Sequence, residues 1–392
     1  MSEQYDIIIV GGGIHGVGVA QAAAARGYSA LLIEKTDLAS GTSSRSSKLI
    51  HGGLRYLESG QFSLVRECLR ERAVLLHIAS DLVQLRDFYL PVYQNTRRRP
   101  WQLRTGLTLY AMLAGFAKAA WFTRVPRTEW DTLDGLTTQN LQAVFRYRDA
   151  QTDDAQLTRA VMRSAENLGA ERAVPARFCK ATLREDFCTV DFIDDGKPRS
   201  CQAEVVVNAT GPWANQVLAR IHPRVPVCPV DLVQGAHLVI DAGVDRGIYY
   251  LESPGDGRGI FIMPWHDRAL VGTTETPYRG DPDHVHPLDA ELSYLLDVLR
   301  HYFPRFTGIH TDDVTSSFAG LRVLPSGSNP SFHRSRESLL HVDRPERPRV
   351  LTIYGGKLTT YRITAQKVMN QLASVLPARS VMADTSQLKL AA

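Results

Sequence analysis

A short unbroken apolar run, Tyr5 to Val10 (YDIIIV), opens the chain and predicts a parallel strand buried on both faces. Gly11-Gly12-Gly13-Ile14-His15-Gly16 follows at once. Val17 to Arg26 is Ala-rich and predicts a helix, with Gly27 as its stop. A second apolar strand, Ser29 to Ile33, ends at Glu34. From Phe62 to His77, Leu64, Val65, Leu69, Ala73 and Leu76 fall near one helical face, and Arg66, Glu67, Arg70, Glu71 and Arg72 on the other. Arg177 to Phe192 alternates polar and apolar residues as meander strands do, and Glu204 to Val207 begins another buried strand. Ile248–Tyr250, Gly259–Met263 and Ala269–Thr273 predict short strands separated by Gly, Pro and Asp. Leu288 to Phe303 predicts a helix with Leu288, Leu292, Leu295, Leu296 and Leu299 inward. Val350 to Tyr354 is a last buried strand, and Lys357 to Leu376 a final helix.

Strand, glycine loop, helix, strand and acid in this order predict an α/β, Rossmann-like dinucleotide-binding unit, interleaved with a mostly antiparallel β unit. Gly11 permits the tight turn, Gly13 lets the backbone approach a pyrophosphate, and Gly16 lets helix and strand pack closely. The helix N-terminus offers free N–H groups to phosphate. Glu34, 18 residues after Gly16, is placed to hold ribose hydroxyls. The motif alone does not separate NAD from FAD. Ala39 to Lys48 (ASGTSSRSSK) reads either as a polar linker or as a Ser/Thr cluster lining a longer, extended cofactor. Gly355-Gly356 offers a second set of backbone N–H groups for an anion or a ring.

Composition narrows the class. A chain of 392 residues allows two or three domains or one interleaved unit. Hydrophobic residues at 44% and charged residues at 22% exclude disorder. A net charge of +4 gives no argument for nucleic acid. No apolar run reaches the ~18 residues of a membrane span, and the N-terminus has no signal-peptide pattern, so a cytoplasmic location is expected. Cys68, Cys179, Cys188, Cys201 and Cys228 are scattered and form no C-x-x-C, so reduced thiols and no metal are expected.

GTSSRSSKLIHGGLRYLE (41–58) resembles the signature of the FAD-dependent glycerol-3-phosphate dehydrogenases, within the D-amino-acid-oxidase-like flavoproteins. Further matches follow in order: VNATGPW (207–213), QGAH (234–237), MPW (263–265), VGTTE (271–275), AGLR (319–322) and YGGKLTTY (354–361). The resemblance runs to about residue 375. It implies FAD as cofactor, and as cofactor-binding residues Gly11, Gly13, Ile14, His15, Gly16, Glu34, Lys35, Thr42, Ser43, Ser44, Ser47, Lys48, Leu49, His51, Gly52 and Gly53. Ala209, Thr210, Gly211, Trp213, Gly320, Gly355, Gly356, Lys357, Leu358 and Thr359 complete that set. It also implies an FAD-binding domain over 1–90, 150–212 and 335–385, a substrate domain over 91–149 and 213–334, and a tail over 386–392. The chain departs from the family in three ways. It ends where a helical C-terminal domain is expected, His15 stands where Asn is frequent, and the Pro325–Asn329 loop differs.

The implied reaction oxidises sn-glycerol 3-phosphate to dihydroxyacetone phosphate: a hydride leaves carbon for the flavin and a proton leaves the hydroxyl. An Arg offers a planar fork to phosphate and a Tyr hydroxyl a donor, so Arg55 and Tyr56 are expected to bind substrate, with Thr360 and Arg336 (or Arg334). Arg322, Lys357 and His237 are the expected catalytic residues, with His237 the neutral base. Non-covalent flavin is expected, His51 being the alternative attachment point. Electrons are expected to pass to a quinone or another acceptor. Residues 97–124 read either as a core helix or as a basic interfacial helix in peripheral contact with a membrane. Two other readings stand beside this one: a flavin oxidoreductase for another anionic alcohol, hydroxy acid or amine, and a non-catalytic FAD-binding paralogue.

Overall fold

The computed structural model describes residues 3–117, 120–241, 243–327 and 337–391. The first apolar run forms strand Glu3–Val10 (β1), the Ala-rich stretch forms helix Ile14–Ala25 (α1), and Ala30–Ile33 (β2) follows. β1 pairs in parallel with β2 on one side and with Lys197–Asn208 on the other. Ile7, Ile8, Ile9 and Leu32 are fully buried, which is why these strands show no polar alternation. Each such side chain contributes about 1.5–3 kcal/mol on leaving water. Nearly every residue of α1 is buried as well, against the helices Asp154–Glu166 and Tyr361–Leu372. Such contact needs small residues: a Cβ on Gly18 would stand 2.8 Å from the Tyr361 ring.

Lys197–Asn208 serves two neighbours. Its first half pairs antiparallel with Cys188–Asp194, while Val206–Asn208 pairs in parallel with Val350–Thr352. The hairpin of Ala176–Leu183 and Cys188–Asp194 therefore extends this first sheet, which has nine strands among the described residues. In register, Val10 stands beside Ile33 and Asn208, and Asn208 beside Thr352, so four parallel strands end along one edge. The crevice beyond such an edge is where open α/β sheets bind ligands.

The second sheet has ten strands among the described residues and is mostly antiparallel. Val230–Ile240 lies between Val314–Pro325 and Arg268–Gly272, followed by Gly259–Trp265, Ile248–Glu252, Val83–Tyr93 and Leu141–Thr152. Its period-two pattern divides its faces. Leu238, Tyr249, Ile260 and Ile262 pack with Leu295, Leu296 and Leu299 of helix Asp289–Tyr302. Gly235, His237, Tyr250 and Phe261 face the other way, toward the first sheet's open edge.

The chain changes sheets near, but not at, the boundaries expected at 90, 149 and 212. Val83–Tyr93 and all of Leu141–Thr152 pair in the second sheet, and Ile221–His222 pairs in the first. The stretch expected as a tail is packed: Leu390 is buried and its N–H bonds to the Ile78 carbonyl. Within 97–124 the helix covers Pro100–Leu113 alone, because Gly115 and Phe116 both take positive φ and end it. That helix buries Leu107 and Tyr110 while Trp101 and Met112, with Phe116 and Trp121 beyond it, remain exposed. Among the described residues, no helix is long and apolar enough to cross a membrane.

Candidate active site

A cavity of about 560 Å³ opens where the parallel strands end and the second sheet begins. Its first wall is the glycine loop. Gly16 fits because a Cβ there would lie 1.9 Å from the Gly11 carbonyl oxygen, and Gly11 itself takes φ +112 against Ala209. Gly13 is different: its missing side chain faces the cavity, with Ser43 Oγ the nearest atom at 3.0 Å. Glu34 is fixed by Gly12 and Thr36. It accepts from the Gly12 N–H at 2.8 Å and from the Thr36 N–H at 2.9 Å.

The Ser/Thr segment crosses from one sheet to the other. Ser43 Oγ accepts from the Ile14 N–H at 2.9 Å, and Thr42 Oγ1 donates to the Leu321 carbonyl at 2.9 Å. Ser47 Oγ lies 2.9 Å from His237 Nε2. The far wall brings Ala209, Thr210, Gly211 and Trp213 together with Gly320, Gly355, Gly356, Lys357, Leu358 and Thr359. Lys35, Leu49, His51 and Gly53 also line the cavity.

Four residues expected to hold the cofactor do not line it. Gly16 is spent on helix packing, and Ser44 Oγ donates to the Gly41 carbonyl at 3.3 Å. Lys48 is buried beside Asp154, Nζ to Oδ1 2.6 Å, so its ammonium is paired within the protein. Gly52 gives its N–H to the Tyr110 hydroxyl at 2.8 Å. Thr360, expected at the substrate, is buried outside the cavity wall. Arg334 and Arg336 lie outside the described residues.

Three cations expected at the substrate, Arg55, Arg322 and Lys357, converge on this cavity from segments far apart in the chain. Arg322 lies flat across Gly235, where a Cβ would come within 2.7 Å of Nη2. Its Nη1 donates to the Thr274 carbonyl at 3.3 Å and Nη2 to Thr273 Oγ1 at 3.1 Å. Lys357 Nζ stands 3.7 Å from the Tyr56 ring centroid and 3.7 Å from Cys68 Sγ. Tyr250 likewise lies over Gly259 and His237 over Gly272, so glycines make this sheet face flat enough for long side chains.

His237 is 1% exposed and stacked on Phe318, centroids 4.9 Å apart. Burial, then the positive charges of Arg322 and Lys48, push its proton affinity well below the ordinary histidine range. The ring therefore stays neutral at physiological pH, the form in which a base accepts a proton, and holds an added proton weakly. His15, enclosed in the opposite wall, is lowered by burial to about 4.

Sequence reasoning passed over Arg45, Arg258, Tyr250, Phe261 and Glu275, all on the cavity wall. Glu275 carried a signal, since it closes the VGTTE motif; Arg258 sits in an unremarked Gly-Asp-Gly-Arg turn. Its Nη1 donates to the Glu275 carbonyl at 3.0 Å.

The wall suits FAD. Among the described residues His15 Nδ1, Trp213 Nε1 and His237 Nδ1 are buried without hydrogen-bond partners, and all three residues line the cavity. Buried polar atoms of this kind call for a polar ligand. Gly13 leaves the approach to the α1 N-terminus open, as a pyrophosphate requires.

Comparison with known proteins agrees with this geometry. Residues 6–362 match the FAD dependent oxidoreductase family. The chain is 36% identical over 380 residues to D-erythritol 1-phosphate dehydrogenase of Brucella abortus, covering 96% of this chain and 75% of that one. It is 36% identical over 377 residues to aerobic glycerol-3-phosphate dehydrogenase of Escherichia coli, covering 94% and 74%. The solved structure of Bacillus halodurans glycerol-3-phosphate dehydrogenase complexed with FAD superposes with a TM-score of 0.76 at 27% identity, over 99% of this chain and 68% of that one. Cavity, glycine loop and comparisons together place the chain in the FAD-dependent oxidoreductase family, as an FAD-dependent dehydrogenase.

Proposed function

We propose that the protein oxidises sn-glycerol 3-phosphate to dihydroxyacetone phosphate and passes the electrons to a quinone or another acceptor. The observation that carries this reading is the convergence of Arg55, Arg322 and Lys357 on one cavity. A phosphate dianion needs such a set, because charge-assisted bonds from several donors offset its desolvation. Bound FAD supplies the hydride acceptor. Gly11, Gly13, Ser43 and the α1 N-terminus hold its pyrophosphate, and Glu34 its ribose. Arg55 and Lys357, with Tyr56 beside them, clamp the phosphate ester. Arg322 faces the reacting hydroxyl, where its charge stabilises the alkoxide as the hydroxyl proton passes to solvent water. Neutral His237 orients Ser47 and the adjoining wall.

A second reading is a longer phosphorylated polyol, favoured by the equal identity to the Brucella abortus enzyme. The test is anaerobic mixing of the yellow protein with sn-glycerol 3-phosphate, followed by flavin absorbance near ~450 nm, since the cofactor reports its own reduction. Bleaching within seconds is expected. Bleaching with D-erythritol 1-phosphate alone would establish the second reading.

A further inference from the structure

Glu291 occupies a buried place on helix Asp289–Tyr302, on the side that otherwise presents Leu295, Leu296 and Leu299. Its carboxylate is held by neutral donors. Oε1 accepts from Thr274 Oγ1 at 2.7 Å and from Thr276 Oγ1 at 2.7 Å. Oε2 accepts from Gln234 Nε2 at 2.5 Å and from the Leu288 N–H at 3.1 Å. A buried carboxylate without a cation is costly unless each lone pair is filled, and here four donors fill them. The cation lies one step further on, across Thr274: the Thr274 carbonyl and Thr273 Oγ1 both accept from Arg322. Thr274 Oγ1 also accepts from the Ala236 N–H at 2.8 Å, beside the Gly235 over which Arg322 lies. Two separated segments, at Gln234 and Thr274, thus meet at one carboxylate behind the cavity wall, and Arg322 rests on the second of them.

We propose that Glu291 is a positioning residue for Arg322: it locks the Thr273–Thr274 segment on which the guanidinium rests. The inference rests on the reading that Arg322 meets the anionic substrate. A glutamine at 291 keeps the volume, but with its oxygen toward Gln234 and Leu288 its amide N–H groups face the Thr274 and Thr276 hydroxyls, which must then accept where they donated, and Thr274 Oγ1 already accepts from Ala236.

The test uses the flavin-loaded protein with Glu291→Gln, Thr274→Val, Arg322→Ala and the double variant Glu291→Gln/Arg322→Ala. Flavin reduction is measured against sn-glycerol 3-phosphate, and inorganic phosphate is titrated by calorimetry. Each of the first two variants should raise the half-saturating substrate concentration about tenfold or more, as small misplacements of a reactive group do. Phosphate affinity should fall with it, while flavin content stays full. In the Arg322→Ala background Glu291→Gln should add nothing, because groups acting as one unit are non-additive. An undiminished effect of Glu291→Gln in that background, or unchanged saturation in the single variants, would overturn the proposal. Thr274→Val carries the comparison if Glu291→Gln does not fold. If the unaltered protein is not reduced by sn-glycerol 3-phosphate, the substrate reading fails, and the phosphate titrations still decide the role of Glu291.

Discussion

The Nε2 of His237 lies 2.9 Å from the hydroxyl of Ser47, tying strand Val230–Ile240 of the second sheet to the loop that crosses from the first. Phe318 covers one face of the imidazole, and Gly272 leaves just enough room on the other. A ring held this way, neutral and beside two cations, is a fixed hydrogen-bonding group rather than a titrating one.

The rate of flavin reduction should therefore show no inflection owed to His237 between pH 6 and 8, values that bracket the ordinary histidine range of ~6.5. His237→Asn is expected to slow reduction and to leave the shape of the pH profile unchanged. An acidic limb that vanishes in the variant would return His237 to the role of base.

Stability should respond to the same burial. His15 and His237 both bind protons less readily folded than unfolded. Their contribution is complete above the unfolded value of ~6.5 and is lost as pH falls below it, because only the unfolded chain takes up the protons. Each adds a slope of up to about 1.4 kcal/mol per pH unit down to its folded value. Chemical denaturation of the flavin-free protein at pH 5 and 7 should show this drop, and His15→Gln should reduce it.

Two glycines of the first loop should fail differently. Gly16→Ala forces a Cβ against the Gly11 carbonyl and should cost about 1–3 kcal/mol or more in unfolding free energy. Gly13→Val meets only Ser43 and should leave a folded but colourless protein. Thermal melting and flavin absorbance, measured together, separate the two outcomes.

Gly235→Ala should raise the half-saturating substrate concentration with flavin content unchanged, because the new methyl meets both Thr273 Oγ1 and the Arg322 guanidinium bonded to it. A loss of about tenfold or more is expected from a displaced substrate cation. Unchanged saturation would show that Arg322 does not meet substrate in this position.

Trp101 and Trp121 are exposed at 68% and 59%, on a segment that also carries Arg97, Arg99, Arg104 and Arg124. Replacing both tryptophans with Ser should weaken sedimentation with anionic liposomes, since such rings favour the headgroup level. Equal sedimentation of both proteins would remove this segment as a lipid contact.

The strand–glycine–helix–strand unit was readable because its causes are local: β1, α1 and β2 match the expected runs within a few residues. The cations were readable as motifs. What escaped was set by distant partners. Lys48 looks like a cofactor ligand until Asp154 folds against it. Glu291 lies among the inward leucines of its helix with no local mark of a role, and its partners Gln234 and Thr274 come from distant strands and loops. The end of the helix at Leu113 had a local signal in Gly115, but the surrounding apolar run masked it.

The parallel pairing of Val206–Asn208 with Val350–Thr352 has a bearing on synthesis. Cavity-lining residues run from Val10 to Thr359, so a ribosome must release nearly all of this chain before the nucleotide can be captured. Until Val350 emerges, Val206–Asn208 presents an apolar edge with unpaired amides, the kind of template on which nascent chains aggregate. Chains interrupted before that strand are expected to collect in the insoluble fraction, and chaperone demand should peak late in translation.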